Sequence, residues 1–183
     1  MKKNDTTAPS ESVETAIFAG GCFWCTEAAL ESINGVIEVV SGYTGGQQEN
    51  PDYKAVAGGQ TDHREAVKVY YDTTQVDYEK VLEIYWQSID PFDEGGQFAD
   101  RGQQYTTAIY YQDKQQKKLA EQSKQAIERK ENKAVTTDIL AAHPFYEAEE
   151  YHQNYHEKNP LRYKLYKYGS GRPDRLKDIW GED

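Results

Sequence analysis

A chain of 183 residues fits one domain and can bury most of the surface its unfolded form would expose. Its formal charge of −10 repels phosphate backbones and anionic lipid, and its densest run of cations, residues 114–130, alternates with Glu and Gln as a solvated helix face does, so neither nucleic-acid nor membrane binding is expected. No apolar run is long enough to span a bilayer, and fifteen tyrosines supply much of the buriable area, each hydroxyl needing a partner when buried.

Residues 1–14 lack the apolar centre of a signal peptide and predict a disordered tail, either an ordinary cytoplasmic N-terminus or the remainder after an export signal has been cut. A cytoplasmic location is the expectation. With no internal repeat or linker, residues 15–183 predict a single catalytic domain. Residues 15–19 suit a buried strand ending at Gly20-Gly21, and 23–32 have helical spacing up to the Asn34-Gly35 turn. A β-branched strand over 36–40 precedes a loop over 42–62, long enough to suggest function. Alternation predicts a strand over 65–71, Asp77 offers an N-cap for a helix through Gln87, and 90–104 read as a second loop. A strand over 106–111, an amphipathic helix over 113–131 and a strand over 135–140 follow. A last helix over 147–157 and an irregular Gly/Pro-containing C-terminus complete the chain. The opening order β-α-β-β-α-β predicts an α+β, ferredoxin-like sandwich: a mixed sheet with helices over one or both faces.

Only two cysteines occur, Cys22 and Cys25, and a disulfide between them would close almost no loop, so chemistry is a better reason for them than stapling. Gly20-Gly21-Cys22-Phe23-Trp24-Cys25 stands where a strand gives way to a helix. The glycines leave the next residue accessible, and the free N–H groups and dipole of a helix N-terminus favour an anion, so the Cys22 thiolate is expected to be stabilised there. Cys25 lies one turn on, where the two sulfurs can meet. A structural zinc site needs four ligands, and there is no second cysteine pair.

Gly21-Cys22-Phe23-Trp24 resembles the signature of the A-type peptide methionine sulfoxide reductases. The resemblance runs from Ala16 to Tyr168 through Ser41-Gly42-Tyr43-Thr44-Gly45-Gly46, Asn50-Pro51-Asp52-Tyr53, His63-Arg64-Glu65, Asp100-Arg101-Gly102-Gln103-Gln104-Tyr105 and Ala148-Glu149-Glu150-Tyr151-His152-Gln153. It implies a reductase for the S-epimer of methionine sulfoxide, free or protein-bound, that needs no cofactor or metal and is recycled by thioredoxin or a similar dithiol. It further implies Cys22 as nucleophile, Glu65 as the acid at the sulfoxide oxygen, Tyr53 and Tyr105 as additional donors, and Asp100 in recognition of substrate and reductant. Phe23 and Trp24 would wall the methyl pocket, although helix packing accounts for them equally well without the resemblance. His152 would stand at most behind the site. His152 and His156, four apart, read as a solvated helix face rather than as metal ligands, for want of a third.

The chain departs from the family pattern in two places. Cys25 stands where many members have Gly, and the C-terminal tail has no cysteine, so Cys25 is expected to resolve the Cys22 sulfenic acid. Asp62 and Arg64 replace the usual Gly and Ala around His63, and are expected to raise and to lower the Glu65 pKa respectively. Three competing readings remain: a thioredoxin-like dithiol oxidoreductase, a hydrolase pairing Cys22 with His143 or His152, and a binder of oxidised segments without turnover.

Overall fold

The structure, a computed structural model, describes residues 12–181. Fifteen elements follow in order: β1 (Val13–Gly20), α1 (Phe23–Glu31), β2 (Val36–Thr44), α2 (Tyr53–Ala57), β3 (Arg64–Asp72), α3 (Tyr78–Gln87), β4 (Gly96–Gln97), β5 (Asp100–Arg101), β6 (Thr107–Tyr111), α4 (Lys114–Glu131), β7 (Asp138–Ala141), β8 (Tyr146–Glu147), α5 (Tyr155–Lys158), α6 (Pro160–Gly169) and α7 (Arg172–Trp180). A six-stranded sheet has the order β7-β6-β1-β3-β2-β8, antiparallel except for the parallel pair β6 and β7, and β4 and β5 form a separate small ribbon. This is a mixed sheet in an α+β architecture, as expected.

Strand alternation sorts the core. Ala16 and Phe18 of β1, Val67 and Val69 of β3 and Ile109 of β6 face one side, where they meet Leu30 of α1, Val81, Leu82, Tyr85 and Trp86 of α3, and Ala120 of α4. Ile17, Ala19, Ala66, Ala108 and Tyr110 face the other side in a smaller cluster that Phe145 covers. The long helices therefore lie on one face. Capping follows from side chains: Asp77 accepts from Lys80 N at 2.8 Å to start α3, and Asp113 accepts from Gln116 N at 2.8 Å to start α4.

Several boundaries differ from the sequence-based expectations. β1 begins at Val13, so the predicted tail of 1–14 ends two residues sooner, and its residues 1–11 lie outside the described part. The loop expected over 42–62 contains the end of β2 and the short α2, capped by Asp52, and the strand expected over 135–140 starts only at Asp138. No helix spans 147–157; β8, a single 3-10 turn (Glu150–His152) and α5 occupy that stretch. The C-terminus is two helices rather than irregular chain. Pro160 and Pro173 stand in the first turns of α6 and α7, where a missing N–H costs nothing, and Gly171 takes a φ of 80° between them. No helix among the described residues is long and apolar enough to cross a membrane.

Candidate active site

The site forms where β1 ends and α1 begins. Gly21 turns the chain with a φ of 82°, and a Cβ there would lie 2.6 Å from Cβ of the buried Gln97, so glycine is required on both counts. Cys22 is the N-cap residue of α1, and its side chain makes no capping bond. Glu65 enters from the start of β3, paired across the sheet with Tyr43, and its Oε1 accepts from Phe23 N at 3.2 Å. Cys22 and Glu65, which are 43 positions apart, thus flank the same N-terminal turn of α1.

Cys22, Glu65, Tyr53 and Tyr105 line one small cavity of about 50 Å³, which Phe23, Trp24, Asp100 and Tyr166 complete. It admits the end of a side chain rather than a whole amino acid. Burial raises the Glu65 carboxyl to about 8 and Asp100 adds to this, while the Phe23 N–H and the Tyr105 hydroxyl favour the anion without prevailing. Glu65 is therefore a neutral acid at pH 7. Burial also raises Tyr53, to about 12, and raises Tyr105 further, which keeps both as hydroxyl donors.

The two thiols hydrogen-bond to each other and divide their charge unequally. Burial, the bond to Cys25, and the carboxyl groups of Glu65 and Asp100 all push the Cys22 thiol well up. Cys25 goes the other way, to about 6: the bond from Cys22 contributes most, then Arg172, the Tyr163 hydroxyl and Lys167, against the effect of burial. Desolvation thus opposes the stabilisation that the helix N-terminus offers a Cys22 thiolate, while the cations lie on the Cys25 side of the pair.

Trp24 is held on three sides. Its indole N–H donates to His152 Nδ1 at 3.1 Å, its ring stacks on Tyr155 at 3.8 Å, and Tyr166 meets it edge-on. Phe23, 1% exposed, packs against Tyr43 and His152, so it serves core and cavity together. His152 is buried rather than on a solvated helix face, and its burial lowers its pKa and keeps it neutral. His156 turns away to pair with Glu31 at 3.0 Å, so the two histidines do not converge. Glu27, Glu31 and His156 are the one trio of possible metal ligands among the described residues. Glu27 there already accepts from Ser41 Oγ and from Asn154 N, both at 2.7 Å.

The expected influence of residues 62 and 64 on Glu65 is absent. Adjacent strand residues face opposite sides, and Arg64 reaches Thr106, Tyr110 and Asp138 at 2.8, 3.0 and 2.6 Å. Asp62 does not contribute either; Asp100 is the carboxylate that acts on Glu65. Four residues were not anticipated: Tyr166, Arg172, and Tyr163 and Lys167, which also act on Cys25. Tyr166 donates to Asp100 and hydrogen-bonds Cys22, and Arg172 lies beside Cys25. The spacing of Tyr163 and Tyr166 between Pro160 and Gly169 is the sequence signal for the first. No histidine hydrogen-bonds Cys22 among the described residues, which removes the base that the hydrolase reading requires.

The sequence pattern of the family described as peptide methionine sulfoxide reductase matches residues 14–183. The peptide methionine sulfoxide reductase MsrA of Bacillus licheniformis is 52% identical over 174 residues, covering 94% of this chain and 96% of that protein. Among solved structures, Mxr1 from Saccharomyces cerevisiae in reduced form superposes with a TM-score of 0.79 at 28% identity, over 88% of this chain and 93% of that one. Mxr1 in complex with Trx2 superposes with a TM-score of 0.56 at 19% identity, over 85% and 92%.

Proposed function

Because the chain belongs to the peptide methionine sulfoxide reductase family, we propose that it reduces the S-epimer of methionine sulfoxide, free or in oxidised proteins, with Cys22 as nucleophile, Glu65 as acid and Cys25 as resolving thiol. One observation carries this reading: a buried carboxyl that is neutral at pH 7 shares a cavity sized for a side-chain end with the Cys22 sulfur. A sulfoxide oxygen leaves only when protonated or strongly hydrogen-bonded, and Glu65, Tyr53 and Tyr105 are all donors into that space. Phe23 and Trp24 wall it for the S-methyl group.

In the first step Cys22 attacks the substrate sulfur while its proton passes along the hydrogen bond to Cys25. Glu65 protonates the sulfoxide oxygen. That oxygen is transferred to Cys22, the substrate gains two electrons and leaves as methionine, and Cys22 becomes a sulfenic acid. In the second step Cys25 attacks the Cys22 sulfur, an S–S bond replaces the S–O bond, and the oxygen departs as water. A thioredoxin-like dithiol then reopens the disulfide by exchange, consistent with the Trx2 complex of Mxr1. Such a cycle suits a thiol-reducing compartment such as the cytoplasm. We also read β1, α1, β2, β3, α3 and β6 as a ferredoxin-like core, supported by the antiparallel order β6-β1-β3-β2, and take the chain from β1 onward as one catalytic unit.

Incubation of both sulfoxide epimers with dithiothreitol tests the function. The wild type should consume one epimer only, and Cys22→Ser should consume neither. Unchanged turnover by Cys22→Ser would overturn the reading.

A further inference from the structure

The two cysteines face different spaces. Cys22 lines the substrate cavity, whereas Cys25 lines a separate cleft of about 350 Å³ walled by Tyr163 and Lys167 of α6 and by Arg172 and Leu176 of α7. Carboxyl groups, Glu65 and Asp100, sit on the Cys22 side, and cations, Arg172 and Lys167, sit on the Cys25 side. Arg172 is 3% exposed. Its Nη1 donates to Ser88 O at 2.5 Å and its Nη2 to Gly20 O at 3.1 Å, and its guanidinium lies 4.4 Å from the Phe98 ring centroid. It makes no ion pair with a carboxylate among the described residues, and a buried guanidinium without a counter-charge is costly. The anion beside it is the thiol pair.

We propose that Arg172 is a positioning residue for the resolving step: fixed by the two carbonyls that end β1 and α3, it keeps the Cys25 side of the pair electropositive, so that Cys25 attacks the Cys22 sulfenic acid. The inference rests on Cys25 being the resolving thiol. In that attack Cys25 gives up the proton it took from Cys22 and its sulfur forms the S–S bond, the S–O bond of Cys22 breaks, and the leaving hydroxide takes up that proton to become water. Cys25 is oxidised and Cys22 is reduced, both to the disulfide level. The Tyr163 hydroxyl, hydrogen-bonded to Cys25, assists on the same side.

The test is the pH dependence of iodoacetamide labelling of reduced protein, mapped to each cysteine, together with single-turnover disulfide formation. Wild-type Cys25 should label with a midpoint near 6. In Arg172→Met the midpoint should rise by about one unit or more, and disulfide formation below it should slow by about tenfold relative to methionine release. Arg172→Lys, which keeps the charge but loses the fork, should retain most of the wild-type midpoint, whereas a purely structural role would make Lys as damaging as Met. Should Arg172→Met fail to fold, Arg172→Gln, which still donates to carbonyls without charge, carries the same comparison. An unchanged midpoint and rate in Arg172→Gln or Arg172→Met overturns the proposal. Failure of the underlying reading looks different: the wild type itself would then stop at a stable sulfenic acid.

Discussion

Glu65 stands opposite Tyr43 in the sheet with 2% of its surface exposed, and it titrates near 8 because burial outweighs the two donors that favour its anion. Two consequences follow for a residue whose proton is its function. The first chemical step should hold its rate between about pH 6, below which Cys25 can no longer take the Cys22 proton, and pH 8, and fall above it, as single-turnover methionine release across pH 6 to 10 would record. Glu65→Gln should keep substantial activity because the amide still donates, and should lose that alkaline fall. Glu65→Leu should lose far more; equal rates in the two variants would discredit the donor role. The same burial affects stability. The folded pKa of Glu65 is raised from 4.5 to about 8, so its stabilising effect is full below 4.5 and is lost as pH rises through 8, each pKa unit being worth about 1.4 kcal/mol. Urea unfolding at pH 5 and pH 9 should therefore find Glu65→Gln gaining on the wild type at the higher pH.

At the scale of elements, α6 connects the two halves of the chemistry. Tyr163 and Tyr166, three residues apart on one helix face, reach Cys25 and the Asp100–Cys22 pair respectively. Tyr166→Phe should leave the fold intact and, by freeing Asp100 and loosening the wall beside Trp24, raise KM several-fold more than it lowers kcat; an unchanged KM would mean that the hydroxyl does not shape the cavity. This helix was also the part least legible in the sequence. The central strands and the helices behind Asp77 and Asp113 were readable because period-two alternation and an aspartate cap are local signals. Pro160, Gly169, Gly171 and Pro173 are local signals too, but they mark the starts and ends of helices rather than irregular chain, and α6 buries no residue fully, so its apolar stripe is faint. The cysteine motif and Glu65 were legible through the family resemblance. Asp100 acting on Glu65, Arg64 turning to the opposite face, and Arg172 beneath Cys25 depend on contacts between residues remote in sequence, and only the Arg64 orientation was recoverable, from strand alternation.

For the whole molecule, the question is how a catalyst survives repeated oxidation and reduction of a buried pair. With only Cys22 and Cys25 in the chain, mispairing within one chain cannot occur, and treatment with sulfoxide should yield a protein lighter by two hydrogens with no sulfenic adduct by intact-mass analysis. Cys25→Ser should instead retain the oxygen on Cys22. The closed loop is so short that chain entropy limits the stabilisation to about 2 kcal/mol, against about 3 for a fifteen-residue loop. The central strands, α3 and α4, which carry most of the main core, lie outside the Cys22–Cys25 loop and need not respond to its closure. The oxidised and reduced forms should therefore melt within about 8 °C of each other by calorimetry. A larger difference would mean that oxidation rearranges α1 against the sheet, and that the redox state reaches the whole fold rather than only the first turn of α1.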